Sequence, residues 1–245
     1  MRIDTLLSRR TDLSTFLVHL TRAKGDVSAK DRLKSILTQQ RLIAESPFGA
    51  SVTKLGQNDP AKDSQRCVCF TETPLEHVNL MLGEIEDRAY QFQPYGVAIS
   101  KKQGRRCGVN PVWYVDITPG HHWLMNEINS LIDEAIEAGN FAESHIARIA
   151  PFVEQMGSGA AAVGDGGYRK EFWWEREWRF NGNLPLPGRF LVLCPQAEIL
   201  EFQEVVENMP KMETYIRPQF IDPLWGLEKI IGFLAGIGVE NLGPM

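Results

Sequence analysis

The sequence contains no apolar run that approaches the roughly 20 residues needed to span a bilayer. Its first ten residues, MRIDTLLSRR, lack the apolar core and the small-residue cleavage site of a secretory signal. The four cysteines stand at irregular spacings and do not form the framework of a disulfide-rich secreted protein. We therefore expect a cytoplasmic protein with free thiols and no membrane partner.

Several catalytic and cofactor motifs are also missing. No Gly-x-Gly-x-x-Gly follows a predicted strand, and the Gly-rich stretch 157–167 does not end in Gly-Lys-Ser/Thr, so the common dinucleotide and phosphate loops are not indicated. No Gly-x-Ser-x-Gly elbow of a serine hydrolase is present. Cys67 and Cys69 form one pair and His121 and His122 another, but neither has the spacing of a zinc site. We predict no metal site.

The chain is acidic, with a formal net charge of −5 and an isoelectric point near 5.6. This balance argues against a broad surface for duplex DNA or RNA. Lys101, Lys102, Arg105 and Arg106 nevertheless lie within six residues. The pattern predicts a solvated turn between two strands, and a local basic groove that accepts a nucleic acid stays open as the alternative.

Hydrophobic patterning predicts the fold class. Short runs of β-branched and aromatic residues predict strands at 15–21, 67–71, 95–100, 111–117, 172–180 and 189–194. Apolar residues at helical spacing fill 124–156, and Gly139-Asn140 divides that stretch into two helices. We predict one α+β domain over residues 1–245, with a mixed, mainly antiparallel sheet, a helical hairpin inserted at about 121–156 and a flexible Gly-rich loop at 157–167.

The most unusual segment is FWWEREWRF at 172–180. If the segment is a strand, alternation places Glu175, Glu177 and Arg179 on one face. Paired carboxylates beside a guanidinium can have different pKa values and can carry acid–base chemistry. A surface strand with a ladder of ion pairs is the alternative interpretation.

Five short blocks resemble the AbiGi family in their order and spacing. They are VHLT at 18–21, CVCFTETP at 67–74, YGVAISK at 95–101, NPVWYV at 110–115 and EREWR at 175–179. Their common order is more specific than any single block. The resemblance implies a role in abortive infection, as part of a toxin–antitoxin pair, and a partner protein encoded nearby.

A more distant likeness connects the chain with the ADP-ribosyltransferase fold of the DarT type. It rests on an early strand ending in His-x-Thr, a threonine-bearing turn after a middle strand and a late strand with a glutamate. The resemblance implies that His19, Thr21 and Thr71 hold NAD, that Glu177 is the catalytic glutamate, and that Glu175 is the first member of a Glu-x-Glu pair. A fixed carboxylate would stabilise the positive charge that develops on the ribose as nicotinamide leaves.

Two functions follow as hypotheses. In the first, the protein transfers ADP-ribose from NAD to a nucleic acid or a protein, which requires His19 and Glu177 to line one cleft. In the second, a non-enzymatic antitoxin or sensor binds a partner protein through the same pocket or through a surface formed by Trp173, Trp174 and Trp178.

Overall fold

The structure, a computed structural model, describes residues 12–85, 88, 90–158, 169–170, 172–209 and 217–237. The chain forms two compact units, each built from segments that are far apart in the sequence. The first unit comprises Met1–Leu42, Phe70–Arg106 and Pro185–Met245, and the second comprises Ile43–Cys69 and Cys107–Leu184.

Strands and helices alternate irregularly along the chain. The strands are β1 (Phe16–Leu20), β2 (Arg41–Leu42), β3 (Ser46–Pro47), β4 (Arg66–Thr71), β5 (Gly96–Ser100), β6 (Asn110–Pro111), β7 (Trp113–Asp116), β8 (Val153–Ser158), β9 (Arg169–Lys170), β10 (Glu177–Asn181), β11 (Leu184–Pro185), β12 (Leu191–Leu193) and β13 (Gln219–Ile221). The α-helices are α1 (Ala29–Gln39), α2 (Lys101–Arg106), α3 (Trp123–Glu137), α4 (His145–Ile149), α5 (Ile199–Glu207) and α6 (Leu227–Leu234). Short 3₁₀ helices are formed by Pro60–Gln65, Leu75–Leu82, Phe141–Glu143, Ala150–Phe152, Phe172–Glu175 and Gln196–Glu198.

The sheet of the first unit has the order β13-β12-β5-β1, and the end of β4 adds to β1 where Thr71 pairs with Val18. All neighbours are antiparallel except β12 and β13, which run parallel. The strands are rich in apolar residues because both faces of the central strands are buried, as the neighbouring residues Val97 and Ala98 of β5 show. The predicted α+β class with a mixed, mainly antiparallel sheet is confirmed.

Helix α1 shows how the sequence builds the first unit locally. The side chain of Ser28 accepts a hydrogen bond from the backbone N–H of Asp31 and caps the helix. Leu33 and Leu37, one turn apart, are fully buried. On the solvent side, Lys34 forms an ion pair with Glu201 of α5.

The second unit contains two small groups of strands. Strand β10 lies between β4 and β6, and β3 pairs with the first part of β4. Strands β7, β8 and β9 form a separate three-stranded sheet in which β7 and β8 are parallel and β9 is antiparallel to β8. Helix α3 supplies the core through one apolar stripe: Met125, Ile128, Ile132 and Ala135 are buried.

The predicted helical hairpin is correct only in its first helix, α3. The second helix, α4, has five residues, and the chain enters strand β8 at Val153. Pro151 gives the physical reason, because proline cannot donate the next helical hydrogen bond. Of the predicted Gly-rich loop 157–167, Gly157 and Ser158 belong to β8, and the rest lies outside the described residues.

The basic segment was also predicted incorrectly, since Lys101–Arg106 form helix α2 instead of a turn. Lysine, arginine and glutamine are good helix formers, and this preference decides the local structure. Lys101 pairs with Glu72 at 2.7 Å, whereas Lys102, Arg105 and Arg106 are exposed. Within the part of the chain that the structure describes, every helix is too short or too polar to cross a bilayer.

Candidate functional site

Arg179 is a buried cation in the second unit, with only 1% of its surface exposed. It shares one face of β10 with Glu177, because side chains two residues apart in a strand point the same way. Arg179 Nε donates to one carboxylate oxygen of Glu177 at 2.9 Å, and Nη2 donates to the other at 2.7 Å. This bidentate pair fixes the orientation of both side chains.

Groups from other segments complete the surroundings of Arg179. Its Nη1 donates to the carbonyl of Pro151 at 2.7 Å, and Nη2 donates to Glu154 Oε2 at 2.7 Å. The guanidinium carbon lies 4.9 Å from the ring centroid of Phe48, a cation–π distance. Arg179 therefore ties β10 to strand β8 and to the segment after β3.

Lys170 of β9 forms an ion pair with Glu154 and extends the arrangement. We call Glu154, Lys170, Glu177 and Arg179 the charge cluster; its two cations and two carboxylates balance. Burial alone lowers the pKa of Arg179, but the neighbouring Glu177 raises it well above its ordinary value. Burial alone raises the pKa of Glu154, but the positive charges of Arg179 and Lys170 outweigh that effect and lower the pKa below its ordinary value. Arg179 and Glu154 are therefore both charged at neutral pH.

The sequence predicted that strand alternation places Glu175 on the same face as Glu177, and this prediction is wrong. Phe172–Glu175 form a 3₁₀ helix, and Arg176 then takes a positive φ of 49°. The backbone N–H of Arg176 donates to the carbonyl of Trp173 at 3.1 Å and closes the turn. The strand begins only at Glu177, so the period of two does not extend back to Glu175.

Glu154 and Lys170 are the two members of the charge cluster that sequence reasoning missed. Residues 153–156 were assigned to a helix, which hid their strand character. Val153-Glu154-Gln155-Met156 runs apolar, polar, polar, apolar, so it lacks the alternation that marks a half-buried strand, and the sequence offered no clear signal for β8.

Four of the six tryptophans are exposed, and all four lie in the second unit. The exposed fractions are 58% for Trp113, 70% for Trp123, 53% for Trp173 and 37% for Trp174. Trp178, which the sequence placed on the same surface as Trp173 and Trp174, is instead buried, with 9% exposed. Of the three tryptophans predicted to form a surface, Trp173 and Trp174 are exposed and Trp178 is not. Trp113 is exposed as well, and sequence reasoning did not select it.

Hydrogen bonds join the segment around Trp113 to Glu177, the first residue of β10. The N–H of Val112 donates to the carbonyl of Glu177 at 2.9 Å, and the N–H of Glu177 donates to the hydroxyl of Tyr114 at 3.1 Å. Trp113 thus lies between two residues that are hydrogen bonded to Glu177. Trp173 and Trp174 belong to the 3₁₀ helix that ends two residues before Glu177. We call Trp113, Trp173 and Trp174 the tryptophan surface.

The residues predicted to hold NAD lie in the first unit. The hydroxyl of Thr21 is 2.9 Å from the carbonyl of Ala29 and 3.1 Å from that of Tyr95, and Thr21 is 3% exposed. The hydroxyl of Thr71 lies 2.7 Å from that of Thr73. The ring of His19 makes an edge contact with Phe70, with centroids 5.9 Å apart. These contacts give the three side chains structural roles, and NAD binding by them stays a prediction.

His19 belongs to the first unit and Glu177 to the second. Their convergence on one cleft therefore stays a prediction. Among the described residues, no three histidine, cysteine, aspartate or glutamate side chains are grouped as metal ligands would be.

Residues 41–192, more than half of the chain, match a family model described as "Putative abortive phage resistance protein AbiGi, antitoxin". The match includes every residue of the second unit, and with it the charge cluster and the tryptophan surface. No curated protein matches the chain, and no solved structure does. The resemblance to the ADP-ribosyltransferase fold therefore stays a prediction. The chain belongs to the AbiGi family of abortive-infection proteins, which act in phage defence.

Proposed function

We propose that this chain is the antitoxin of an abortive-infection pair and that it binds its partner toxin through the tryptophan surface. The observation that carries the proposal is the exposure of Trp113 and Trp173, each with more than half of its surface open to solvent. Both tryptophans lie inside the region that matches the antitoxin family. A toxin that covers them would remove a large apolar area from water.

Tryptophan suits this role physically. Large exposed aromatic side chains are expensive to leave in water, and tryptophan is enriched among the few residues that dominate binding at protein interfaces. Its indole N–H can also find a hydrogen-bond partner when a second protein covers the ring. The same residues therefore supply apolar area and a polar group for specificity.

In this proposal the charge cluster stabilises the backbone next to Trp113 through Glu177. Glu177 is fixed by Arg179 through its side chain, while its backbone is hydrogen bonded to both neighbours of Trp113 in the chain. A surface that is rigid before binding loses less conformational entropy when its partner arrives. The charge cluster thus positions the tryptophan residues for binding, and its charged groups do not contact the toxin.

ADP-ribose transfer is a second candidate function, and one observation favours it. The Glu177 carboxylate, which the transferase resemblance makes catalytic, is held in one orientation, and 14% of its side chain remains exposed. A preorganised carboxylate is what stabilisation of a ribosyl cation requires. The structural hydrogen bonds of Thr21 weigh against a role in NAD binding, so we rank this function second.

Growth rescue tests the antitoxin function. Cells that express the protein encoded beside this chain's gene should stop growing, and co-expression of the wild-type chain should restore growth. Trp113→Ala and Trp173→Ala should fail to rescue growth while accumulating as folded protein. Leu200→Ala, which changes an exposed leucine of α5 that is 75% exposed, serves as the matched control and should rescue fully.

Incubation with labelled NAD and cell extract separates the two candidates. The antitoxin proposal predicts no transfer of label by the wild-type chain. Label transferred by the wild type and lost in Glu177→Gln would establish the transferase instead. Rescue of growth by Trp113→Ala and Trp173→Ala would contradict the tryptophan surface as the binding site.

A further inference from the structure

Helix α6 exposes apolar residues on its outer side. Leu227, Ile231 and Leu234 are 51%, 56% and 41% exposed, and Leu224 and Ile237 beside the helix are 67% and 47% exposed. We call these five residues the α6 stripe. Contiguous exposed apolar patches are uncommon on monomeric proteins and mark surfaces that bind something.

The inner side of α6 is packed, so the helix does not need the stripe for its own attachment. Ile230 is 3% exposed and Trp225 is 5% exposed. The rings of Trp225 and Phe233 meet edge to face with centroids 5.1 Å apart. Lys229 lies over the Trp225 ring at 5.0 Å and donates to Gln196 Oε1 at 2.9 Å. The α6 stripe is therefore an apolar face that is separate from the packed inner side of the helix.

We propose that the α6 stripe binds a second copy of this chain in an antiparallel, two-fold arrangement. The stripe is symmetric in sequence about its centre: Leu227 and Leu234 stand equally far from the midpoint, as do Leu224 and Ile237, and Ile231 lies next to it. An antiparallel copy therefore sets Leu227 against Leu234 of the second copy. Ile231 then meets its own counterpart near the two-fold axis.

The spacing and charges of α6 fit this occupant. Leu227, Ile231 and Leu234 repeat at intervals of four and three residues, the pattern of helices that pack along a seam. An antiparallel pair also puts the two copies of Glu228 on opposite sides of the axis, which avoids a contact between like charges.

The available area is sufficient for a specific contact. A stable interface needs about 1,000 Å² of buried surface, and ten half-exposed leucine and isoleucine residues, five from each copy, provide an area on that order. The stripe lies outside residues 41–192, which match the antitoxin family, so the toxin is assigned to a different surface. Self-association thus goes beyond the proposed antitoxin function and does not depend on it.

Light scattering after size-exclusion chromatography tests the proposal on the full chain. The wild type should elute with twice the 27.7 kDa mass of one chain. Ile231→Asp should elute at the mass of one chain with unchanged circular dichroism, because a charge at the axis would face its own copy. Leu200→Asp, at a site on α5 that is more exposed than Ile231, should leave the double mass intact.

Cysteine cross-linking provides a second readout. In a Cys107→Ser background, Ile231→Cys should form a disulfide-linked dimer under oxidising conditions, since the two-fold axis brings residue 231 close to its copy. Leu200→Cys should form none. A wild-type chain at 27.7 kDa, or an Ile231→Asp variant that keeps twice that mass, would overturn the proposal. Loss of toxin binding in Ile231→Asp with a monomeric wild type would instead assign the stripe to the toxin.

Discussion

Arg179 and Glu177 lie two residues apart on one strand and form a bidentate ion pair with donor–acceptor distances of 2.9 and 2.7 Å. The pair is largely removed from water, because Arg179 is 1% exposed and the side chain of Glu177 is 14% exposed. A buried guanidinium is tolerated only when its donors are satisfied, and here two carboxylates and one carbonyl accept from it. The pair thereby links three segments of the second unit: β10, the segment Pro151–Glu154 and Phe48.

Replacement of Arg179 by methionine should destabilise the protein strongly. The substitution leaves the partly buried carboxylates of Glu154 and Glu177 without this cation, and breaking one side of a buried pair costs about 3–5 kcal/mol. Urea unfolding followed by tryptophan fluorescence measures the loss. Arg217→Met is the control, because the ion pair of Arg217 with Glu207 is more than half exposed and should contribute little. Equal stability of the two variants would contradict the structural role of Arg179.

Glu154 should make stability depend on acid pH. Its pKa in the folded protein lies below the ordinary value of 4.5, because Arg179 and Lys170 outweigh the effect of burial. The stabilisation is therefore complete above about pH 4.5 and is lost as the pH falls through the lower folded-state pKa. Glu154→Gln should be less stable than the wild type at neutral pH, and the difference should shrink in acid. The urea midpoints of the wild type and of Glu154→Gln are measured over this pH range. A difference between them that stays constant with pH would contradict the prediction.

Gly49 should resist substitution more than other glycines with positive φ. A Cβ at Gly49 would lie 1.9 Å from the carbonyl oxygen of Ala150, whereas a Cβ at Gly120 would meet nothing within 4 Å. Both residues have φ near +90°, so alanine strains the backbone at either site by about 1–2 kcal/mol. The clash should add about 1–3 kcal/mol to Gly49→Ala alone. Thermal denaturation of the two variants compares them directly.

The cysteines should differ sharply in reactivity. Cys107 is exposed, while burial raises the pKa of Cys67 to about 11 and that of Cys194 to about 12. Burial, reinforced by Glu177, raises the pKa of Cys69 as well. Since the thiolate is the reactive form, a thiol reagent near pH 8 should modify Cys107 quickly and the other three cysteines slowly. Cys107→Ser should abolish the fast phase, and a fast phase that survives would contradict the assignment.

The sequence predicted the central strands of the first unit well because they are short runs composed mainly of apolar residues. Strand β1, predicted at 15–21, spans Phe16–Leu20, and β5, predicted at 95–100, spans Gly96–Ser100. Such strands are buried on both faces, so composition alone identifies them. The same pattern does not show which way each side chain of a strand points or which strands pair with it.

The candidate site was only partly predictable. The pairing of Glu177 with Arg179 follows from the strand period, and it was anticipated. The turn at Arg176 was not, because aromatic residues with high β propensity precede it and a positive φ at arginine has no sequence signal. The exposure of Trp113 depends on what covers each face of β7, which tertiary packing decides.

The most direct test of the tryptophan surface is the affinity of the purified partner toxin for this chain, measured by isothermal titration calorimetry. Trp173→Ala should weaken binding by about 30-fold, since truncation of a central interface tryptophan costs about 2 kcal/mol or more. Leu200→Ala should bind like the wild type. Equal affinities of the wild type and Trp173→Ala, with Trp113→Ala also unchanged, would contradict the assignment of this surface to the toxin.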